Sequence, residues 1–146
     1  MEFTKHTTFT LPNRTTIAHT MYRIAVDFDG TIVENKYPKI GKPLPFAFET
    51  LKAFQKKGCV LILWTCREGE LLDEAVEFCR RNGVEFYAVN QNHPEEAGVT
   101  EWSRKVDARY YIDDRGIPPF QGWGETFQMI FPDEVAPIKR KRFFLF

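Results

Sequence analysis

The sequence predicts an α/β protein whose core is a parallel sheet sandwiched by helices, and three observations predict it. Short, almost wholly apolar runs alternate with amphipathic segments of helical period. The alternating order of strands and helices implies right-handed crossovers and parallel pairing. The apolar runs also end abruptly in Asp or Thr, as strands do when their carboxyl ends form a rim.

Each element can be justified in turn. Residues 23–28 (RIAVDF) form an apolar run closing on acids and glycine, which reads as a buried strand. Residues 45–57 (PFAFETLKAFQKK) put Ala47, Leu51 and Phe54 on one helical face, with Pro45 suited to the first turn and Gly58 to the cap. Residues 59–65 (CVLILWT) are apolar almost throughout, as a strand covered on both faces should be. A second helix carries Leu72, Ala75, Val76 and Cys79 in register and closes at Asn82-Gly83. Residues 85–89 (EFYAV) read as a third strand, and residues 90–105 as polar loop with one helical turn around Trp102. Residues 108–112 (ARYYI) form a fourth strand running into Asp113-Asp114. Pro118, Pro119, Gly122 and Gly124 then make an irregular stretch before a short amphipathic segment to Phe131.

A length of 146 residues suits one domain, with 14 Phe, 5 Tyr and 3 Trp supplying much of its core. Twenty basic residues balance twenty acidic ones, so no global field draws in nucleic acid, and any attraction of charged substrates must be local. Cys59, Cys66 and Cys79 lack CxxC spacing, which argues against a disulfide framework or a structural zinc site and for a reducing, cytoplasmic setting. No apolar run approaches the roughly 18 residues of a membrane span. Residues 1–20 hold seven Thr and no apolar segment of secretory type, and they read as an extension before the folded part. Residues 133–146 read as a C-terminal tail ending KRKRFFLF, a frayed terminus rather than a docking segment.

In the predicted sheet the polar strand ends converge. Asp27 and Asp29 end the first strand, Thr65 the second, and Asp113 and Asp114 the fourth. The run Asp27-Phe28-Asp29-Gly30-Thr31 after a strand fixes a pattern that recurs by chance about once in 10^5 positions. With LWTCR, SRK and YIDDR following in order, it resembles the haloacid dehalogenase-like (HAD) hydrolase superfamily over residues 22–115. Taken alone, Asp113-Asp114 would read as a solvated turn and Lys105 as a solvated loop residue.

The resemblance implies a Rossmann-like core over residues 21–132 and a Mg²⁺-dependent phosphatase that hydrolyses a phosphate monoester. Asp27 would be the nucleophile, forming an aspartyl-phosphate, with Asp29 as the acid/base group that serves both half-reactions. A phosphate dianion repels a carboxylate nucleophile, so the site needs a hard cation held by oxygens. Asp27 and Asp113 are the carboxylates best placed to hold Mg²⁺. The resemblance adds the backbone carbonyl of Asp29, and Asp114 close by or through water. Lys105 would pair with Asp27 and the phosphate, while the Thr65 hydroxyl and the Cys66 N–H hold a phosphate oxygen. Arg67 and Arg115 either touch substrate or form surface ion pairs, and His93 reads as a loop residue. Members with dehalogenase or ATPase chemistry lack an acid at the position of Asp29.

Neither the stretch after Thr31 nor that before Lys105 is long enough to bury a core of its own, so the chain resembles the capless group. A large phosphorylated substrate or a neighbouring subunit of a homo-oligomer would then close the site. Two alternative readings accompany it: a phosphotransferase or mutase of the same fold, and a catalytically silent binding or regulatory module.

Overall fold

The computed structural model describes residues 22–96 and 103–137. In chain order the elements are β1 (Arg23–Val26), β2 (Val33–Lys36), β3 (Lys39–Pro43), α1 (Ala47–Lys56), β4 (Val60–Leu63), α2 (Gly69–Arg81), β5 (Ala88–Val89), β6 (Tyr110–Ile112) and α3 (Trp123–Ile130), with a 3-10 turn at Pro94–Glu96. Four strands form a parallel sheet in the order β5-β4-β1-β6. The α/β class with a parallel sheet is therefore as expected. The helical turn expected around Trp102, residues 1–20 and most of the tail lie outside the described residues.

Strand order explains the layers. The chain steps from β1 to β4 to β5 in one direction, so right-handed crossovers put α1 and α2 on the same face. Ile24 and Val26 of β1 and Leu61 and Leu63 of β4 point to that face. There they join Leu51 and Phe54 of α1, Ala75 and Cys79 of α2, and Trp123 and Phe127 of α3 in one core. Phe54 and Phe127 stack with ring centroids 5.8 Å apart.

The alternate strand residues, Ala25 and Ile62, point to the opposite face and pack with Ala88 and Val106. No helix packs on that face among the described residues, which corrects the expectation of helices on both sides. The reason is topological. Among the described residues, the chain that meets that face lies between β5 and β6 and is largely irregular, and its Val106 and Ala108 supply the cover.

The expected elements are shorter than the segments read for them. Pairing covers only Ala88–Val89 of residues 85–89 and Tyr110–Ile112 of residues 108–112, and α1 begins at Ala47, after a turn that holds Pro45 and the left-handed Phe46 (φ 64°). Two elements were not expected at all. Residues 33–43, read as a mere gap, form an antiparallel hairpin of β2 and β3. Its register needs Gly41, because a Cβ there would stand 2.2 Å from the Glu34 carbonyl oxygen.

Candidate functional site

The sheet reverses its order between β1 and β6, so their carboxyl ends flank the crevice where ligands gather in such folds. Val26 pairs with Ile112, and the next N–H, of Asp27, donates to the Ile112 carbonyl at 3.0 Å. Pairing at that point forces Asp27 and Asp113 to emerge side by side. Asp27, Asp113 and Asp114 each offer a carboxylate oxygen within 4.8 Å of the others, and all three are half-buried.

The turn after β1 completes this cluster. The Phe28 carbonyl accepts the N–H groups of Thr31, Ile32 and Val33, which coils the chain tightly behind Asp27. Thr31, fully buried, donates its hydroxyl to Asp27 Oδ2 at 3.0 Å and accepts the Asp114 N–H at 3.1 Å. The Trp123 indole N–H donates to the Thr31 carbonyl at 2.9 Å, so α3 braces the same turn. Gly30 has φ +86°, and a Cβ on it would stand 2.4 Å from Asp114 Oδ2. Both facts require glycine there.

Crowding three acids has an electrostatic consequence. Burial, a hydrogen bond with Asp114 and the charge of Asp113 push the Asp27 carboxyl up from its ordinary 3.8 to about 7, against the opposing hydrogen bonds of Thr31 and the Phe28 backbone. The cluster is thus a set of hard oxygen donors short of positive charge, and such a set fits a divalent cation.

Asp29 and Arg67 form the second part of the site. Arg67 Nε donates to Asp29 Oδ2 at 2.7 Å and Nη2 to Asp29 Oδ1 at 2.8 Å, a bidentate pair. The other guanidinium N–H groups go to the carbonyls of Pro38, Lys39 and Leu71 at 3.1–3.3 Å. Every Arg67 donor is taken by the protein, and the side chain is buried, with 1% exposure. The sequence offered Arg67 as a phosphate contact or a surface pair. Here it is neither, because the hairpin folds over it and its N–H groups face the protein on all sides.

The remaining expected residues divide. Thr65 lies two residues beyond β4 at the rim, its N–H donating to Asn90 Oδ1 at 2.8 Å and its hydroxyl accepting the Arg67 N–H at 3.2 Å. Cys66 follows it, exposed and free. Asn90, absent from the sequence-derived set, is in the left-handed region (φ 54°), and its own N–H donates to the Leu63 carbonyl at 2.8 Å. Its place just after the third strand's apolar run was the available signal. Lys105 is exposed, with Nζ 5.5 Å from the Tyr111 ring centroid, and makes no ion pair with Asp27. The Asp113 carboxylate accepts the Arg115 N–H at 2.9 Å, which fixes its direction, while the Arg115 side chain is exposed. His93 hydrogen-bonds the Tyr87 hydroxyl at 3.0 Å, as a loop residue would.

No protein-family model and no curated protein matches the chain. Among solved structures, a conserved protein from Bacteroides thetaiotaomicron is 52% identical, with a TM-score of 0.73 over 79% of this chain and 93% of that one. The chain belongs to the same family as that Bacteroides protein.

Proposed function

We propose that this chain is a Mg²⁺-dependent phosphatase of HAD type that hydrolyses a phosphate monoester through an aspartyl-phosphate on Asp27. The observation that carries the reading is the convergence of Asp27, Asp113 and Asp114 carboxylate oxygens at the reversal of strand order.

Asp27, Asp113 and Asp114 would hold the cation together with the Asp29 carbonyl, and the cation would offset the charge of the incoming phosphate. The Thr31 hydroxyl donates to Asp27 Oδ2, and the other carboxylate oxygen would attack phosphorus. As that oxygen bonds to phosphorus, the bond to the leaving oxygen breaks, and Asp29 supplies the leaving oxygen with a proton. Water then attacks the same phosphorus, Asp29 takes its proton, and Asp27 is regenerated. Both Asp29 oxygens accept from Arg67, so carrying that proton requires one of them to be released. Thr65 at the rim, with the Cys66 N–H beside it, would receive a phosphate oxygen.

The hairpin of residues 33–43 is all that separates the first turn from α1, which supports a capless arrangement closed by a large substrate or a neighbouring subunit. Three free thiols, at Cys59, Cys66 and Cys79, support a cytoplasmic setting, and no described helix is long and apolar enough to cross a membrane.

The test is turnover of p-nitrophenyl phosphate and a panel of phosphorylated metabolites with Mg²⁺, with EDTA, and in Asp27→Asn. Activity is expected with Mg²⁺ alone and to fall by at least about 10³-fold in the variant, as for a lost nucleophile. Turnover that survives Asp27→Asn sinks the mechanism. A folded, Mg²⁺-binding protein inactive on every substrate would point to a regulatory module.

A further inference from the structure

Arg67 is the most buried charged side chain among the described residues, and the β2–β3 hairpin closes over it. Burying a guanidinium is costly unless each N–H finds an acceptor and the charge finds a partner. Here the five N–H groups have five contacts: two on Asp29, two on the Pro38 and Lys39 carbonyls at the hairpin tip, and one on the Leu71 carbonyl of α2. The rings of Phe28 and Tyr37 lie over the guanidinium, 5.1 and 5.3 Å from it, one from the turn after β1 and one from the hairpin tip. A single planar fork therefore joins a site carboxylate, a hairpin and a helix.

We infer that Arg67 is a positioning residue that sets the direction of the Asp29 carboxylate and couples it to the tip of the 33–43 hairpin. Hairpin and carboxylate then move as one unit. The pair forms where two different parts of the chain are held at once, so loosening either end releases the other. A lysine could not substitute, because its three donors lack the fork that meets both carboxylate oxygens and the carbonyls together. The catalytic consequence rests on the reading of Asp29 as the acid/base group, whereas the coupling rests on geometry alone.

The experiment is hydrogen exchange on the full chain, comparing wild type with Asp29→Asn and Arg67→Lys, beside the phosphatase assay. Asp29→Asn leaves Arg67 in place, removes the charge of its partner and turns one accepting oxygen into an amide donor, so one arm of the fork loses its acceptor. Amides of residues 33–43 should exchange about tenfold faster or more, while those of Val60–Leu63 in β4 stay unchanged. Arg67→Lys should act in the same direction and lower kcat at least about tenfold with KM nearly constant. Hairpin protection untouched by Asp29→Asn overturns the inference. So does equal loss of protection across β4, which would mark general destabilisation, and so does a rise in KM with kcat retained, which would make Arg67 a phosphate contact. A wild type without turnover whose hairpin still loosens in Asp29→Asn would defeat the phosphatase reading and support the coupling.

Discussion

Thr31 and Asp114, 83 positions apart, meet through one hydroxyl: the Asp114 N–H donates to Thr31 Oγ1 at 3.1 Å, and that oxygen lies 3.4 Å from Asp114 Oδ1. The same hydroxyl donates to Asp27 Oδ2. Thr31 is thus the buried joint between the two strand ends that carry the acidic cluster.

Thr31→Val keeps the shape and removes the joint. It leaves the Asp114 N–H without its acceptor, which should cost about 1–3 kcal/mol. Urea unfolding should show a lower midpoint at unchanged slope, and Thr31→Ser should recover most of the loss. A Ser variant as unstable as Val would place the effect in packing instead of the hydroxyl.

Gly30→Ala meets two obstacles, the positive φ and the Asp114 carboxylate in the space a Cβ would fill. The left-handed backbone alone costs about 1–2 kcal/mol. Because Asp114 must also shift, divalent-cation affinity should fall more than in Gly58→Ala, where nothing stands within 4 Å of the added Cβ at a similar φ. Calorimetric Mg²⁺ or Mn²⁺ titrations of both variants make the comparison.

Asp27 makes metal-free stability depend on pH. Its folded-state value, about 7, lies above the ordinary 3.8, so between those values the folded chain binds more protons than the unfolded one. Its contribution is fully present below pH 4 and is lost as pH rises through about 7. In EDTA, the melting temperature should decline from pH 5 to 8 relative to Asp27→Asn, and saturating Mg²⁺ should flatten the slope. Cation affinity should rise with pH to about 7, since binding displaces that proton. A pH-independent affinity between 5 and 7 would contradict the shift.

Asn90→Gly tests the support behind Thr65. Glycine keeps the positive φ and loses only the side-chain oxygen that holds the Thr65 N–H. Stability should drop by about 0.5–1.5 kcal/mol, a typical single hydrogen bond. Binding of inorganic phosphate or vanadate should weaken severalfold, read by competition against p-nitrophenyl phosphate. Unchanged anion binding would remove Thr65 from the site.

Much of the fold was legible because burial leaves a local trace. The apolar runs at β1 and β4 and the helical faces of α1 and α2 are buried where their periods put them. The hairpin left no such trace: VENK and KIGKP are mostly exposed, so alternation is weak and the pairing depends on the turn and on Gly41. Within the site, Asp27, Asp113 and Asp114 were legible as acids that end neighbouring strands. Asn90 was not, because an asparagine after a strand has many ordinary uses.

The sequence by itself determined the strands of the parallel sheet and the helices, their order, and which polar residues follow the strands, since each is a matter of neighbouring side chains and backbone preference. Tertiary structure alone decided the partners. It put the three described α-helices on one face of the sheet, turned Arg67 from the rim onto Asp29 and the hairpin carbonyls, and left Lys105 against Tyr111. The physical reason is that a local pattern records whether a side chain is buried. Which acceptor satisfies it is set by chain crossings tens of residues away.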